Sequence, residues 1–234
     1  MKIDIKNLVH TYDKDVLKDL SLTLEGYHSI GIIGVSGSGK STLIRLLSGL
    51  EKATQGQLSI NGDDVSSDVY KKKIGFVFQN HNLFPHLSLK RNITLILEKT
   101  RNVDPEKASA IADKYLNLLH LGDQHYKLPK NVSGGQAQRA SLARALAMDP
   151  EIIFLDEPTS SLDPILTDEV LSAVEELKGL GKDFIFVTHV MSFVKDFADY
   201  VIFLEDGKIV EHGEPNILDN PKTNNLKAFM KKVR

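Results

Sequence analysis

Residues 34–41 of the 234-residue chain read Gly-Val-Ser-Gly-Ser-Gly-Lys-Ser, a G-x-x-x-x-G-K-S spacing. Each residue type in that pattern answers a need of a bound polyphosphate. Gly34, Gly37 and Gly39 let the backbone curl, with Ser36 and Ser38 between them, until its amides and the following helix N-terminus face an anion. Lys40 neutralises the outer phosphates, and the hydroxyl of Ser41 can ligate Mg²⁺. An ordinary Gly-Ser turn requires neither Lys40 nor Ser41. A second chemical group closes an apolar run, where Ile152 to Leu155 is followed by Asp156 and Glu157. Strand ends in open α/β sheets deliver side chains to the ligand crevice, so Asp156 suits a Mg²⁺ shell and Glu157 suits polarisation of an attacking water.

The phosphate loop needs a strand before it and a helix after it, and both are written nearby. Tyr27 to Ile33 is an apolar run, and Lys40 to Leu50 carries Leu43, Leu46, Leu47 and Leu50 at helical spacing. Ahead of them, Ile3 with Ile5 and then Leu17 to Leu24 read as short strands. Gln57 to Ile60 followed by Asn61-Gly62 predicts a hairpin, and Ile74 to Phe78 a buried strand. Between Leu89 and Met148 strands vanish; Asp104-Pro105 opens a helix with Ile111, Tyr115, Leu118 and Leu119 on one face. Alternation then resumes with strand 152–155, helix 164–177 and strand 183–187, as in a parallel α/β layer. Tyr200 to Leu204 and Lys208 to Glu211 flank Glu205-Asp206-Gly207, a predicted hairpin, and a short helical tail follows Pro215, ending in Lys231, Lys232 and Arg234.

Composition narrows the partners. A formal net charge of −2 and a pI near 6.4 give no electrostatic footprint for a polyanion, so nucleic acid is excluded as an expected partner. No apolar run approaches the roughly 18 residues of a membrane span, and Met1-Lys2-Ile3-Asp4 begins no apolar signal segment. The absence of cysteine rules out disulfides, thiolate zinc sites and thiol catalysis.

Val132-Ser133-Gly134-Gly135-Gln136 carries the most specific signal. Read locally, Ser133 and Gln136 form a capping box before the run Ala140 to Met148, but that reading leaves the two glycines unexplained. Glycines cost helix stability and bare a helix N-terminus for close approach to an anion. The pentapeptide resembles the signature sequence of the ABC transporter ATPases, with Val132 where leucine is usual. The resemblance implies a phosphate-loop NTPase of the ABC kind, an α/β fold with an N-terminal antiparallel β subdomain and an inserted α-helical subdomain. Residues 1–88 and 149–214 would form the core with its β subdomain, 89–148 the helical insert, and 215–234 the tail.

It also implies roles that no single residue would announce. Tyr12, in Thr11-Tyr12-Asp13, matches the aromatic that stacks on adenine, a contact worth roughly 1–3 kcal/mol. Gln79 matches a glutamine contacting Mg²⁺ or water and linking hydrolysis to the helical insert; the metal set would then be Ser41, Gln79 and Asp156. Thr42 joins the phosphate loop, and Ser161-Leu162-Asp163 resembles a loop crossing a dimer interface, although Asp163 before Pro164 is equally a helix cap. His189, after Thr188, matches the histidine that holds the γ-phosphate and orients water near Glu157. The cofactors implied are ATP and Mg²⁺, with two ATP sandwiched in a head-to-tail dimer whose second copy offers Ser133 to Gln136 to the γ-phosphate.

Residues 79–88, Gln-Asn-His-Asn-Leu-Phe-Pro-His-Leu-Ser, resemble the corresponding segment of bacterial polar amino-acid importers, as do Asn220-Pro221 and Phe229. That resemblance implies transmembrane permease subunits as partners, indirectly a substrate-binding protein, and a peripheral place on the cytoplasmic face of the inner membrane. Leu83, Phe84 and Pro85 would form an apolar ledge for a permease helix. Lipoprotein-export ATPases share the same core, and an iron–sulfur-assembly ATPase is the non-transport alternative.

Overall fold

Inward Ile3, Ile5 and Leu8 alternate with outward residues along the first strand, so one face is dry and the other wet, as an antiparallel sheet requires. The computed structural model describes residues 1–160 and 162–233. Its strands are β1 (Lys2–Thr11), β2 (Asp15–Glu25), β3 (Ser29–Gly34), β4 (Gln55–Ile60), β5 (Asp63–Asp64), β6 (Ile74–Val77), β7 (Ile152–Asp156), β8 (Asp183–Val187), β9 (Tyr200–Glu205) and β10 (Lys208–Gly213). Its α-helices are α1 (Lys40–Leu47), α2 (Asp68–Lys71), α3 (Leu89–Thr100), α4 (Pro105–Leu118), α5 (Gly134–Ala147), α6 (Pro164–Glu176), α7 (Met191–Phe197) and α8 (Asn224–Lys232). One sheet has the order β2-β1-β4-β5 and the other β10-β9-β3-β8-β7-β6.

The chain divides into two compact units. The first comprises residues 1–74, 154–157 and 183 onward, and holds the antiparallel sheet, β3, β8 to β10, and α1, α7 and α8. Here β3 runs parallel to both β8 and β9 and is buried along its whole length, which is why its sequence is a run of isoleucines rather than an alternation. Asn61 (φ +53) and Gly62 (φ +84) make the two-residue turn between β4 and β5, and Asp206 and Gly207 repeat the device between β9 and β10.

The second unit comprises residues 75–153 and 158–182, with α3 to α6 packed on one another. In α4 the buried stripe is Ala108, Ala112 and Leu116, continued by Leu119 past the helix end. Of the expected face Ile111, Tyr115, Leu118 and Leu119, the last is fully buried and the other three are half-buried, so the centre of the stripe lies one residue further on, at Ala108, Ala112 and Leu116. A similar correction applies to α1, which stops at Leu47 before the turn at Gly49, leaving Leu50 exposed while Ile44 fills the core.

Candidate nucleotide site

Strand β3 ends where a side chain cannot pass. At Gly34 (φ +153) an added Cβ would lie 2.1 Å from the carbonyl oxygen of Leu204, so the strand can run beside β9 and turn into the loop only as glycine. The loop then delivers the chain to α1 with Gly39 as its N-cap and no side chain capping it. Helices α2 to α6 and α8 are instead closed by Ser67, Ser88, Asp104, Ser133, Asp163 and Thr223. The first-turn amides of α1 are thus left to an anion. The hydroxyl of Ser38 is buried in the same turn without a hydrogen-bond partner among the described residues, and Ser36 and Gly37 are exposed.

Lys40 is 5% exposed, and its ammonium donates to the carbonyls of Gly34 and Val35, each at 3.0 Å. Burial pushes its pKa down, against the pull of the Glu157 and Asp156 carboxylates. A cation is thus held at the loop by backbone carbonyls, in reach of a phosphate that would hydrogen-bond it more strongly.

Asp156, at the end of β7, lies 2% exposed, and Ser41 Oγ donates to its Oδ1 at 3.0 Å. These two hard oxygen ligands fit Mg²⁺, which keeps several waters and takes few protein ligands beside substrate phosphates. Among the described residues no group of three or more His, Cys, Asp or Glu is placed to hold a metal ion. Burial raises the Asp156 carboxyl pKa; the hydrogen bond from Ser41 and the charge of Arg45 oppose it. A folded pKa above the unfolded one means that ionisation costs stability, a cost that grows as pH rises past the unfolded carboxylate value near ~3.9. Asp156→Asn is therefore expected to raise the melting temperature at pH 7 without nucleotide, by about 2–4 °C per kcal/mol relieved, and to lose that advantage near pH 4. Thermal unfolding at the two pH values reads the sign.

Glu157 follows immediately with φ +46, a left-handed conformation that costs a non-glycine residue about 1–2 kcal/mol. Its amide donates to the carbonyl of Val187 at 3.0 Å, which holds the strained turn beside β8. The carboxylate meets His189 Nε2 at 2.9 Å. His189 is placed by the turn after β8, where the Thr188 hydroxyl accepts from the amide of Val190 at 3.1 Å. Tyr12, 55% exposed, belongs to the same unit, and Glu51 accepts a hydrogen bond from its hydroxyl.

The remaining residues singled out in the sequence lie in the second unit. Gln79 is exposed just beyond β6. Ser133 and Gln136 form the reciprocal capping box of α5, with bonds of 3.1 and 3.0 Å. Ser133→Ala should cost about 1 kcal/mol by removing that cap, readable in chemical denaturation. The structure also gives the two glycines a packing role: a Cβ would come within 2.9 Å of Leu162 at Gly134 and 3.2 Å of Leu166 at Gly135. Asp163 caps α6, accepting from the amides of Ile165 and Leu166 at 3.0 Å each; Ser161 lies outside the described residues. Leu83 is buried, so the exposed ledge reduces to Phe84 and Pro85. Fully buried Asn92 pins that turn, accepting from the Phe84 amide at 2.7 Å and donating to the carbonyls of Phe84, Leu87 and Ser88.

Sequence reading missed two side chains that tie the segment around Gln79 to α5. Gln138 donates to the carbonyl of Phe78 at 3.0 Å, and Arg144 donates to those of Asn82 and His81 at 2.8 and 3.2 Å. Burial lowers the pKa of His81, as does the charge of Arg144.

A bare helix N-terminus behind a glycine loop, a buried lysine and paired serine and aspartate oxygens define a phosphate-loop nucleoside triphosphatase. The chain belongs to the ABC transporter family of ATPases, whose family model matches residues 17–160. It is 40% identical over 230 residues to the glutamine transport ATP-binding protein GlnQ of Bacillus subtilis, covering 96% of this chain and 95% of that one. It is also 40% identical over 238 residues to the glutamate/aspartate import ATP-binding protein GltL of Escherichia coli, covering 99% of each. Among solved structures it resembles the dimeric ATP-binding cassette MJ0796 in a post-hydrolysis state bound to ADP and Pi, with TM-score 0.80, 31% identity, and 91% and 98% coverage of the two chains. The chain is accordingly an ATP-binding and ATP-hydrolysing subunit. No helix of the described residues is long and apolar enough to cross a membrane.

Proposed function

We propose that this ATPase powers the import of polar amino acids, working as a homodimer beneath transmembrane permease subunits fed by a substrate-binding protein. The observation that carries this is similarity along nearly the whole chain to subunits named for glutamine and for glutamate/aspartate transport. Residues 79–88, held to α5 by Arg144 and, at the preceding Phe78, by Gln138, support it as the segment that would meet the permease through exposed Phe84 and Pro85. The subunit would sit peripherally at the cytoplasmic face of the inner membrane.

At each site the amides of residues 34–42 and Lys40 bind the β- and γ-phosphates, and Tyr12 stacks on the base. Mg²⁺, held by Ser41, Asp156 and Gln79, would supply charge neutralisation of the phosphates. Glu157 orients a water for attack on the γ-phosphorus and accepts its proton as the bond to the bridging oxygen breaks; His189 steadies that carboxylate and meets the γ-phosphate. Ser133 to Gln136 of one copy complete the site of the other, with Asp163 at the interface. Two copies closing on two nucleotides, with residues 89–148 as the moving helical subdomain, would couple hydrolysis to the membrane partners.

Deleting the gene in its host and measuring uptake of labelled glutamine, glutamate and aspartate tests the cargo. Loss of uptake of at least one is expected. Unchanged uptake with mislocalised lipoproteins would move the chain to the export class.

A further inference from the structure

Glu51 lies where the two halves of the site meet within the first unit. The turn through Gly49 (φ +68) is closed by the amides of Leu50 and Glu51, which donate to the carbonyl of Arg45 at 3.0 and 3.2 Å. That turn folds the Glu51 carboxylate back beside the last turn of α1. Its Oε2 accepts from the Tyr12 hydroxyl and lies 3.7 Å from Nε2 of His10, which is 7% exposed. Its Oε1 lies 3.6 Å from the guanidinium of Arg45, and a second nitrogen of that guanidinium lies 3.8 Å from Asp156 Oδ2. Since Asp156 Oδ1 accepts from Ser41, contacts run unbroken from Tyr12 to the Ser41–Asp156 pair.

The Tyr12 ring itself is held at two points. Its hydroxyl is tied to Glu51, and His10 packs against it edge-on with centroids 4.7 Å apart, yet the residue stays 55% exposed. An aromatic ring with fixed orientation and open surface is a preorganised platform for a stacked base, since the rotamer entropy of the ring is spent before binding. At the other end, Arg45 divides its charge between Glu51 and Asp156. Without Glu51 it would pair with Asp156 alone and compete with a cation for that carboxylate.

We propose that Glu51 is a positioning residue for nucleotide binding, orienting Tyr12 toward the base and, through Arg45, keeping Asp156 available to the metal. The proposal rests on the reading of residues 34–42 as the ATP site. Calorimetric ATP titrations of the purified chain, in EDTA and across a Mg²⁺ series, separate the two effects, with thermal melts confirming that each variant is folded. In EDTA, Glu51→Ala should weaken ATP binding about fivefold, the size of one hydrogen bond. Tyr12→Phe, which keeps the ring and loses only its hydroxyl, should reproduce most of that loss. On a Tyr12→Ala background, Glu51→Ala should cost less than about twofold in EDTA, the non-additivity expected of residues acting as one unit. It should still raise the Mg²⁺ requirement on that background, by about threefold by the same reasoning of one lost electrostatic partner. Equal losses on both backgrounds, an unchanged Mg²⁺ requirement, or a Tyr12→Phe variant that binds like wild type would overturn the proposal. Wild-type protein that fails to bind ATP would instead overturn the reading of the site.

Discussion

Replacing Lys40 by alanine is expected to abolish useful ATP affinity while leaving the fold intact. Hydrogen bonds to charged groups contribute about 1.5–3 kcal/mol each, so losing two to phosphate oxygens amounts to about 3–6 kcal/mol, or about 10²–10⁴-fold in Kd. The fold should tolerate the change because the ammonium is bound only to the loop carbonyls of Gly34 and Val35 among the described residues, and its burial already depresses its pKa. Removing a buried charge of that kind relieves a desolvation cost, which offsets the lost bonds. Isothermal titration with ATP is the measurement. A wild-type Kd in a folded Lys40→Ala variant would remove residues 34–41 from the nucleotide site.

The second large effect concerns Glu157. Glu157→Gln keeps the shape and a hydrogen-bonding group but cannot take a proton, so steady-state ATP hydrolysis should fall by about 10²–10⁴-fold with ATP affinity nearly unchanged. The backbone favours the same role. A glutamate held at φ +46, with its amide fixed to Val187 and its carboxylate 2.9 Å from His189, keeps a strained conformation that aims the side chain. Hydrolysis at the wild-type rate by this variant would eliminate Glu157 as the base.

Much of this frame is legible in the chain because it is local. The loop is signalled by a strand ending in Gly34 and a helix beginning at Lys40, and the capping box by Ser133 and Gln136 three residues apart. The turns at Asn61-Gly62 and Asp206-Gly207 announce themselves because few residues tolerate positive φ. What escaped is non-local or conformationally silent. Gln138 and Arg144 reach carbonyls 60 to 63 residues away, a distance that no periodicity encodes. The centre of the buried face of α4 is hard to read because Ala108 and Ala112 carry little hydrophobic signal, although Leu119 of the expected face is buried. Leu83 reads as surface in sequence because the apolar run around it includes exposed Phe84, and only the turn pinned by Asn92 separates the two. Glutamate is not a residue that advertises a left-handed backbone, so the strain at Glu157 is set by the fold around it and not signalled by residue type.

In the function proposed above, this chain forms half of a two-site engine in which each nucleotide is held between copies. Sedimentation velocity of Glu157→Gln with and without Mg-ATP tests it most directly, because turnover no longer dissolves the closed state. A monomer without nucleotide should become a dimer with Mg-ATP, with no such shift when Lys40→Ala is added. A protein that binds ATP yet stays monomeric with Mg-ATP would contradict it.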